Sequence, residues 1–456
     1  MPDTIVALAT PTGRSGIGVI RLSGGQAPAI ISRLVGDDNL ELIPRSARLK
    51  RLLDPQSGDV IDEAIITYFK APHSFTGEDV IEIACHGSPV LLRQVIDICL
   101  SEGARMADAG EFSLRALANG RMNLAEAEAI RDLIDAQTVG SARQAIRQLR
   151  GEFSKQLQPL KDDLLNVIVI LESAIEFVED DLPEVQADNV KNRLAAIADE
   201  IDKLAATFQA GKLIREGLRV ALVGRPNVGK SSLFNALLGS DRAIVTEIAG
   251  TTRDQIHERF TIGDIPISLI DTAGLRDTTD TVESIGVERS RATMADADIV
   301  IVMLDASEAI SDEDHDIIDS VFGIEHIIAF NKIDKVEPDV VDTALTQVAG
   351  IGSNVIALSA KTGEGISALE RAIVHPFSSR DVSASGFLVT DARHHDLLVR
   401  SASEIEQSLD RMNKKMSEEI VLIGLHNALR YLGQITGETT TEDMLTRIFA
   451  TFCIGK

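Results

Sequence analysis

The spacing of apolar positions changes along the chain, and each change marks a different kind of structure. Over residues 1–120 short β-rich runs at 17–22, 64–69 and 80–84 alternate with helical stretches such as 89–101, the pattern of a compact α+β domain. From Leu124 the period becomes helical, with Leu124, Ile130, Leu133, Ile134, Ile146 and Leu149 on one face. Further helical patterns at 160–178 and 190–213, separated by an acidic turn at 179–183, are expected to pack as a bundle. From about 216 to 374 apolar strands at 219–223, 267–270, 299–304, 327–330 and 355–358 alternate with helices, as a parallel doubly wound sheet requires. After a Ser-rich joint (Ser378, Ser379, Ser383, Ser385) helical periodicity returns at 396–409, 418–432 and 441–449. The simplest architecture is an α/β domain inserted into a helical domain whose halves flank it: 1–120, 121–215, 216–376 and 377–456.

Composition narrows the setting. A chain of 456 residues with 44% hydrophobic content is long enough for several cores. The most apolar stretch, 164–178, carries Glu172 and Glu176, so no membrane span is expected. The first residues lack the basic start and long apolar segment of a signal peptide. Cys85, Cys99 and Cys453 have neither metal-ligand spacing nor an even count, which fits a reducing cytoplasm better than a disulfide framework or zinc site. A net charge of −25 gives no basic face for nucleic acid. Either the charge merely keeps the chain soluble or, if nucleic acid is the substrate, a partner supplies much of the positive surface.

Candidate chemistry concentrates in the α/β segment. Gly224-Arg225-Pro226-Asn227-Val228-Gly229-Lys230-Ser231 follows a strand and precedes a helix, the context of a phosphate-binding P-loop. There the glycines let amides close around the β-phosphate, Lys230 meets the β/γ oxygens and Ser231 offers a hydroxyl to Mg²⁺. Asp271-Thr272-Ala273-Gly274, directly after the strand at 267–270, stands where an outer carboxylate for Mg²⁺ and a γ-phosphate-sensing glycine belong. Asn331-Lys332-Ile333-Asp334 follows another strand, and an Asp334 carboxylate accepts from both donors on guanine's Watson–Crick edge, which adenine lacks. Ser359-Ala360-Lys361 completes the base pocket through backbone N–H contact. In the polar stretch 246–254 a switch is expected to carry Thr252 to Mg²⁺. The nucleotide contacts thus comprise Asn227, Val228, Gly229, Lys230, Ser231 and Ser232 of the loop, Thr246, Glu247, Ile248, Ala249, Gly250, Thr251 and Thr252 of the switch, and the later motifs. The order of these elements, each at a strand end, points to GTP.

Water activation is less direct. Ras-like GTPases place a Gln directly after the Asp-x-x-Gly motif, and here that position is Leu275, which has no hydrogen-bonding group. Asp277, Asp280, Glu283 and Glu288 are acidic candidates for the task. Arg253, Arg276 or Arg289 could neutralise transition-state charge, and so could a monovalent cation.

With the 224–231 motif, Thr251-Thr252-Arg253-Asp254 and the terminal Cys453-Ile454-Gly455-Lys456 in hand, the chain resembles the MnmE (TrmE) family of tRNA-modification GTPases. The resemblance extends to Ala9-Thr10-Pro11 with Gly13-Arg14, to Ser74-Phe75-Thr76-Gly77-Glu78-Asp79 and to Gly110-Glu111-Phe112-Ser113, essentially the whole length. It implies an N-terminal α+β tetrahydrofolate-binding-like domain, a discontinuous helical domain and an inserted Ras-like G domain. It also implies a homodimer formed through the N-terminal domains, with G domains that pair when K⁺ and GTP are bound. Asn227, the carbonyls of Thr246 and Ile248, and Thr251 would hold K⁺, and Glu283 would position the water. The family acts with the FAD-containing partner MnmG, in a heterotetramer or larger complex, on C5 of the wobble uridine (U34) of certain tRNAs. The one-carbon unit comes from 5-formyl- or 5,10-methylene-tetrahydrofolate, and the matching folate positions are Arg21, Glu82, Arg121 and Lys456. Family members often have Lys where Arg121 stands.

Cys453 has two readings: a thiolate that adds to C6 of a uridine, or a buried small apolar residue near a helix end. His86 reads as structural. The rival function is a regulatory GTPase switch in ribosome assembly or stress signalling, for which a folate pocket would have no use.

Overall fold

The computed structural model describes residues 3–176, 184–239, 258–270, 297–348, 354–378, 386–439, 441–453 and 455. The chain divides into two compact units, Met1–Ile134 with Arg147–Ile197 and Arg400–Lys456, and Asp135–Ile146 with Ala198–Val399.

In the first unit, β1 (Thr4–Leu8), β2 (Ile17–Ser23), β3 (Ala47–Leu53), β4 (Val60–Phe69), β5 (Val80–His86) and β6 (Ala104–Met106) pair in the order β3-β4-β5-β2-β1-β6. Neighbours are antiparallel apart from the parallel β1–β6 pair. Period-2 alternation turns Val6, Ile20, Leu22, Ala64, Ile66, Ile81 and Ile83 inward, against helices Ala27–Val35 and Pro89–Ser101. The opposite face carries the row Ala7, Arg21, Glu82 and Thr67 across β1, β2, β5 and β4. Phe75 and Phe112 cover its β1 end with Ile5 and Ala7. Toward the rim Ile17, Leu49 and Ile65 stay 63%, 66% and 45% exposed.

A buried ionic cluster fastens this covered end. Arg115, 1% exposed, donates to Glu111 at 2.8 Å, to Glu78 at 3.1 Å and to Asp3 at 3.0 Å. Glu78 also accepts from Ser23 at 2.7 Å, so the 74–79 segment is tied to β2. Helices Glu152–Glu176 and Glu418–Thr436 pack along each other, burying Leu157, Leu164, Ile168 and Leu171 on one and Val421, Leu425, Leu432 and Ile435 on the other. Lys161 and Glu438 join them at 2.5 Å.

The second unit holds β7 (Leu218–Val223), β8 (Glu258–Ile262), β9 (Ile265–Ile270), β10 (Ile299–Asp305), β11 (His326–Asn331) and β12 (Asn354–Ala357), in the order β12-β11-β10-β7-β9-β8. All five expected strands are present and parallel. The antiparallel edge strand β8 was not expected. It reaches β9 through the two-residue turn Gly263-Asp264, whose glycine has φ +62°, the geometry of a tight hairpin.

Alternation here produces a core on each face. Val220, Leu222, Ile301 and Met303 pack with Leu233, Leu237, Leu369 and Ile373 on one side. Ala221, Val223, Val300, Val302 and Phe330 pack with Ile318 on the other. Strand order reverses at β7, which lies between β9 and β10, and the C-terminal end of a strand at such a reversal is the usual position of a ligand crevice.

The helix expected over 190–213 is two helices, Glu184–Ala206 and Phe208–Glu216. Between them the Thr207 hydroxyl donates to Leu204 O at 2.7 Å and accepts from Val389 N at 3.0 Å, diverting the backbone from the helical ladder. Among the described residues no helix is long and apolar enough to cross a membrane.

Candidate functional site

The loop after β7 is shaped by its backbone. Gly224 and Gly229 have φ +147° and +103°, and Asn227 is left-handed at +66°. A Cβ at Gly224 would lie 2.5 Å from Met303 O, and one at Gly229 would lie 2.2 Å from Asn331 Nδ2. Only glycine lets the chain pass this close to β10 and β11. Helix Lys230–Gly239 begins at the loop's end, so its first amides face the loop. Lys230 Nζ donates to Gly224 O at 2.6 Å and Arg225 O at 2.8 Å. Burial draws its pKa down, opposed by the charge of Glu313.

The segment after β11 locks onto this loop. Asn331, 2% exposed, donates Nδ2 to Val228 O at 2.8 Å and accepts Ala360 N on Oδ1 at 2.9 Å. One side chain therefore holds the phosphate loop and the 359–361 loop together. Lys332, left-handed with φ +68°, donates Nζ to Asn227 O at 2.7 Å and to Asp305 Oδ2 at 2.5 Å. Asp334 Oδ1 accepts the Ser359 hydroxyl at 2.7 Å. That hydrogen bond, with Lys361 and Lys335 nearby, keeps the Asp334 carboxyl below its ordinary value and thus ionised as an acceptor.

Asp305 was missed from sequence. It ends β10, is 6% exposed, and accepts Ser307 N at 2.9 Å and Ser307 Oγ at 2.6 Å besides Lys332. Burial alone would raise its pKa, but Lys332 and Ser307 outweigh that and lower it. An acidic residue closing a buried strand beside the base motif was the available signal.

A second constellation lies on the outer face of the N-terminal sheet. Register places Arg21 opposite Glu82, and Arg21 donates Nε and Nη2 to Glu82 Oε1 at 3.0 and 2.8 Å. Its guanidinium lies 5.5 Å from the Phe75 ring centroid and 5.7 Å from that of Phe112, within cation–π range. Arg21 Nη1 also donates to Gly455 O at 3.2 Å, bringing the chain's end onto the sheet. A Cβ at Gly455 would meet Leu8 O at 2.4 Å. Phe75, Phe112 and the Gly455 carbonyl were not anticipated, since only the pairing of strands and the return of the C-terminus assemble them. Arg121 donates Nε to Ser74 O at 3.1 Å, steadying the segment that carries Phe75.

Of the other expected residues, Ser231 and Ser232 lie in the first turn of helix Lys230–Gly239. Thr246, Glu247, Ile248, Ala249, Gly250, Thr251, Thr252, Asp271, Thr272, Ala273, Gly274, Glu283 and Lys456 lie outside the described residues. The reading of Cys453 as a buried apolar residue is corrected: it is exposed, while its carbonyl accepts Gly110 N at 3.4 Å. The neighbouring Phe449 and Phe452 fill the apolar space with Leu124 and Ala127 instead. Cys85 and Cys99 are buried thiols pushed up to about 12 by desolvation. His86 Nδ1 lies 2.7 Å from Asp62 Oδ1.

Comparison with known proteins adds an end-to-end relationship. A family model described as GTP-binding protein TrmE N-terminus matches residues 4–121, and one described as MnmE helical domain matches residues 124–453. Similar proteins described as tRNA modification GTPase MnmE occur in Koribacter versatilis (strain Ellin345), at 45% identity over 100% of both chains, and in Aquifex aeolicus (strain VF5), at 41% over 100% of both. The Acetivibrio thermocellus relative of the same description is 39% identical, over 100% of this chain and 99% of its own. With a family model covering most of the sequence and relatives aligned along its full length, the chain belongs to the MnmE family.

Proposed function

We propose that this protein is a K⁺-stimulated GTPase which, with the FAD-dependent partner MnmG, modifies C5 of the wobble uridine of certain tRNAs to the (carboxymethyl)aminomethyl form. The carrying observation is Asn331, whose two hydrogen bonds make phosphate loop and base loop one preassembled unit. Lys230 exchanges its two carbonyl contacts for the β/γ oxygens of GTP, and Ser231 supplies a hydroxyl to Mg²⁺ with Thr252. Asp334 selects guanine, because a carboxylate left without donors by adenine would carry an uncompensated polar cost. Leu275 leaves water positioning to Glu283, and Asn227, Thr246, Ile248 and Thr251 hold the K⁺.

Tetrahydrofolate fits the N-terminal face by its donor set. Glu82 would accept from pterin N–H groups through the oxygen not used by Arg21, and Arg21, Arg121 and Lys456 would supply positive charge for carboxylates. The exposed Ile17, Leu49 and Ile65 on the same sheet supply an apolar surface for homodimerisation. The setting is the cytoplasm. Deleting the gene and digesting total tRNA tests the reading: loss of the modified wobble nucleoside is expected, and unchanged wobble uridines would favour a regulatory switch instead.

A further inference from the structure

The phosphate loop is held from both sides. Asn331 and Lys332 grip the carbonyls of Val228 and Asn227, and on the other side Arg225 reaches out of the loop to helix Asp312–Ser320. Arg225 donates Nε to Asp314 Oδ1 at 2.7 Å and Nη2 to Glu308 Oε2 at 3.2 Å. Asp314 is 1% exposed, and its two oxygens have separate tasks. Oδ2 accepts Ser311 N at 2.9 Å and Ser311 Oγ at 2.8 Å, closing the capping box that starts the helix. Oδ1 takes the loop arginine.

A capping box needs only an acceptor at this position, and a neutral amide would serve. Burying a full negative charge there costs desolvation that the cap does not require. The guanidinium of Arg225 offsets that cost, so the charge is explained by the loop rather than by the helix. The peptide carbonyl of Arg225, in turn, accepts Lys230 Nζ at 2.8 Å. Asp314 thus connects through Arg225 to the seat of the lysine.

We propose that Asp314 is a positioning residue for nucleotide binding: by holding the Arg225 side chain it fixes the Arg225 peptide and keeps the phosphate loop in its binding shape. This rests on the reading of 224–231 as the GTP loop. The test uses the full-length protein, with GDP and GTP affinities measured by calorimetry beside Tm for Asp314→Asn, Arg225→Met, the double variant and Ser311→Ala. Asp314→Asn and Arg225→Met are each expected to weaken both nucleotides about tenfold, the value of a lost charge-assisted contact. The double variant should be little worse than either single one. Ser311→Ala, which breaks the cap without touching Arg225, should lower Tm and leave both affinities unchanged. Should Asp314→Asn fail to fold, Arg225→Met alone decides. Unchanged GDP and GTP affinity in folded Asp314→Asn or in Arg225→Met, or additive losses in the double variant, would overturn the proposal. Wild-type protein that bound neither nucleotide would remove the underlying loop reading as well.

Discussion

The nucleotide loop and the N-terminal sheet face are built on opposite plans. Around Lys230, the side chains of Asn331 and Lys332 hold the loop's backbone carbonyls, and the Ser359 hydroxyl holds the Asp334 carboxylate. On the sheet face, side chains hold each other: Arg21 pairs with Glu82, and the Arg21 guanidinium lies against Phe75 and Phe112. A ligand at the first site replaces contacts of a single lysine, whereas at the second it must share or displace an existing ion pair. The first plan favours tight, geometry-driven binding. The second makes affinity a difference between two sets of charge-assisted bonds.

The largest effect is expected for Glu283→Ala, which should lower GTP turnover by about 10²–10⁴, the range for a lost acid–base or water-positioning group, while GTP affinity stays within about twofold. Lost binding measured by calorimetry would instead make Glu283 part of the preformed site. Next is Arg115→Met, which leaves Glu111 to Arg105 alone and removes the buried cation from Glu78 and Asp3; it should cost about 3 kcal/mol in urea unfolding of the first unit. Burial alone would raise the pKa of Glu111, but Arg105 and Arg115 outweigh it and hold the group below its ordinary value. Its stabilisation is therefore complete above the usual carboxylate range and is lost as pH falls through and below it. The wild type should lose stability there more steeply than Arg115→Met, and parallel pH curves would contradict the cluster's role.

Exchanging NaCl for KCl is expected to raise GTP turnover about tenfold, the order of one added electrostatic contact in the transition state. Equal rates would remove the cation from the mechanism. The smallest effect belongs to the paired site: Glu82→Gln should weaken 5-formyltetrahydrofolate about fivefold in fluorescence titration, because losing a charged acceptor is partly offset by releasing Arg21. A loss of several hundredfold would show that Glu82 is committed to ligand rather than to Arg21.

The same contrast explains what could be read from sequence. Loop 224–231, Asn331 to Asp334 and Ser359 to Lys361 are contiguous segments at strand ends, so spacing alone located them. The five parallel strands were equally legible, because their buried runs contrast with the polar segments between them. Partners created by register were not. Arg21 meets Glu82 across 61 residues and Gly455 across 434, and no local pattern encodes either pairing. Strand β8 escaped because its edge position leaves a weak apolar signal, and Asp305 because one acidic residue at a strand end resembles an ordinary turn.

In the proposed function the phosphate loop grips the triphosphate while Asp334 chooses the base. Calorimetry of wild-type protein and Asp334→Asn with GTP, ATP and XTP tests it most directly. The wild type should bind GTP and reject ATP by about 10⁴-fold, and Asp334→Asn should shift preference from GTP to XTP. Comparable ATP affinity in the wild type, or base selectivity untouched by the substitution, would contradict it.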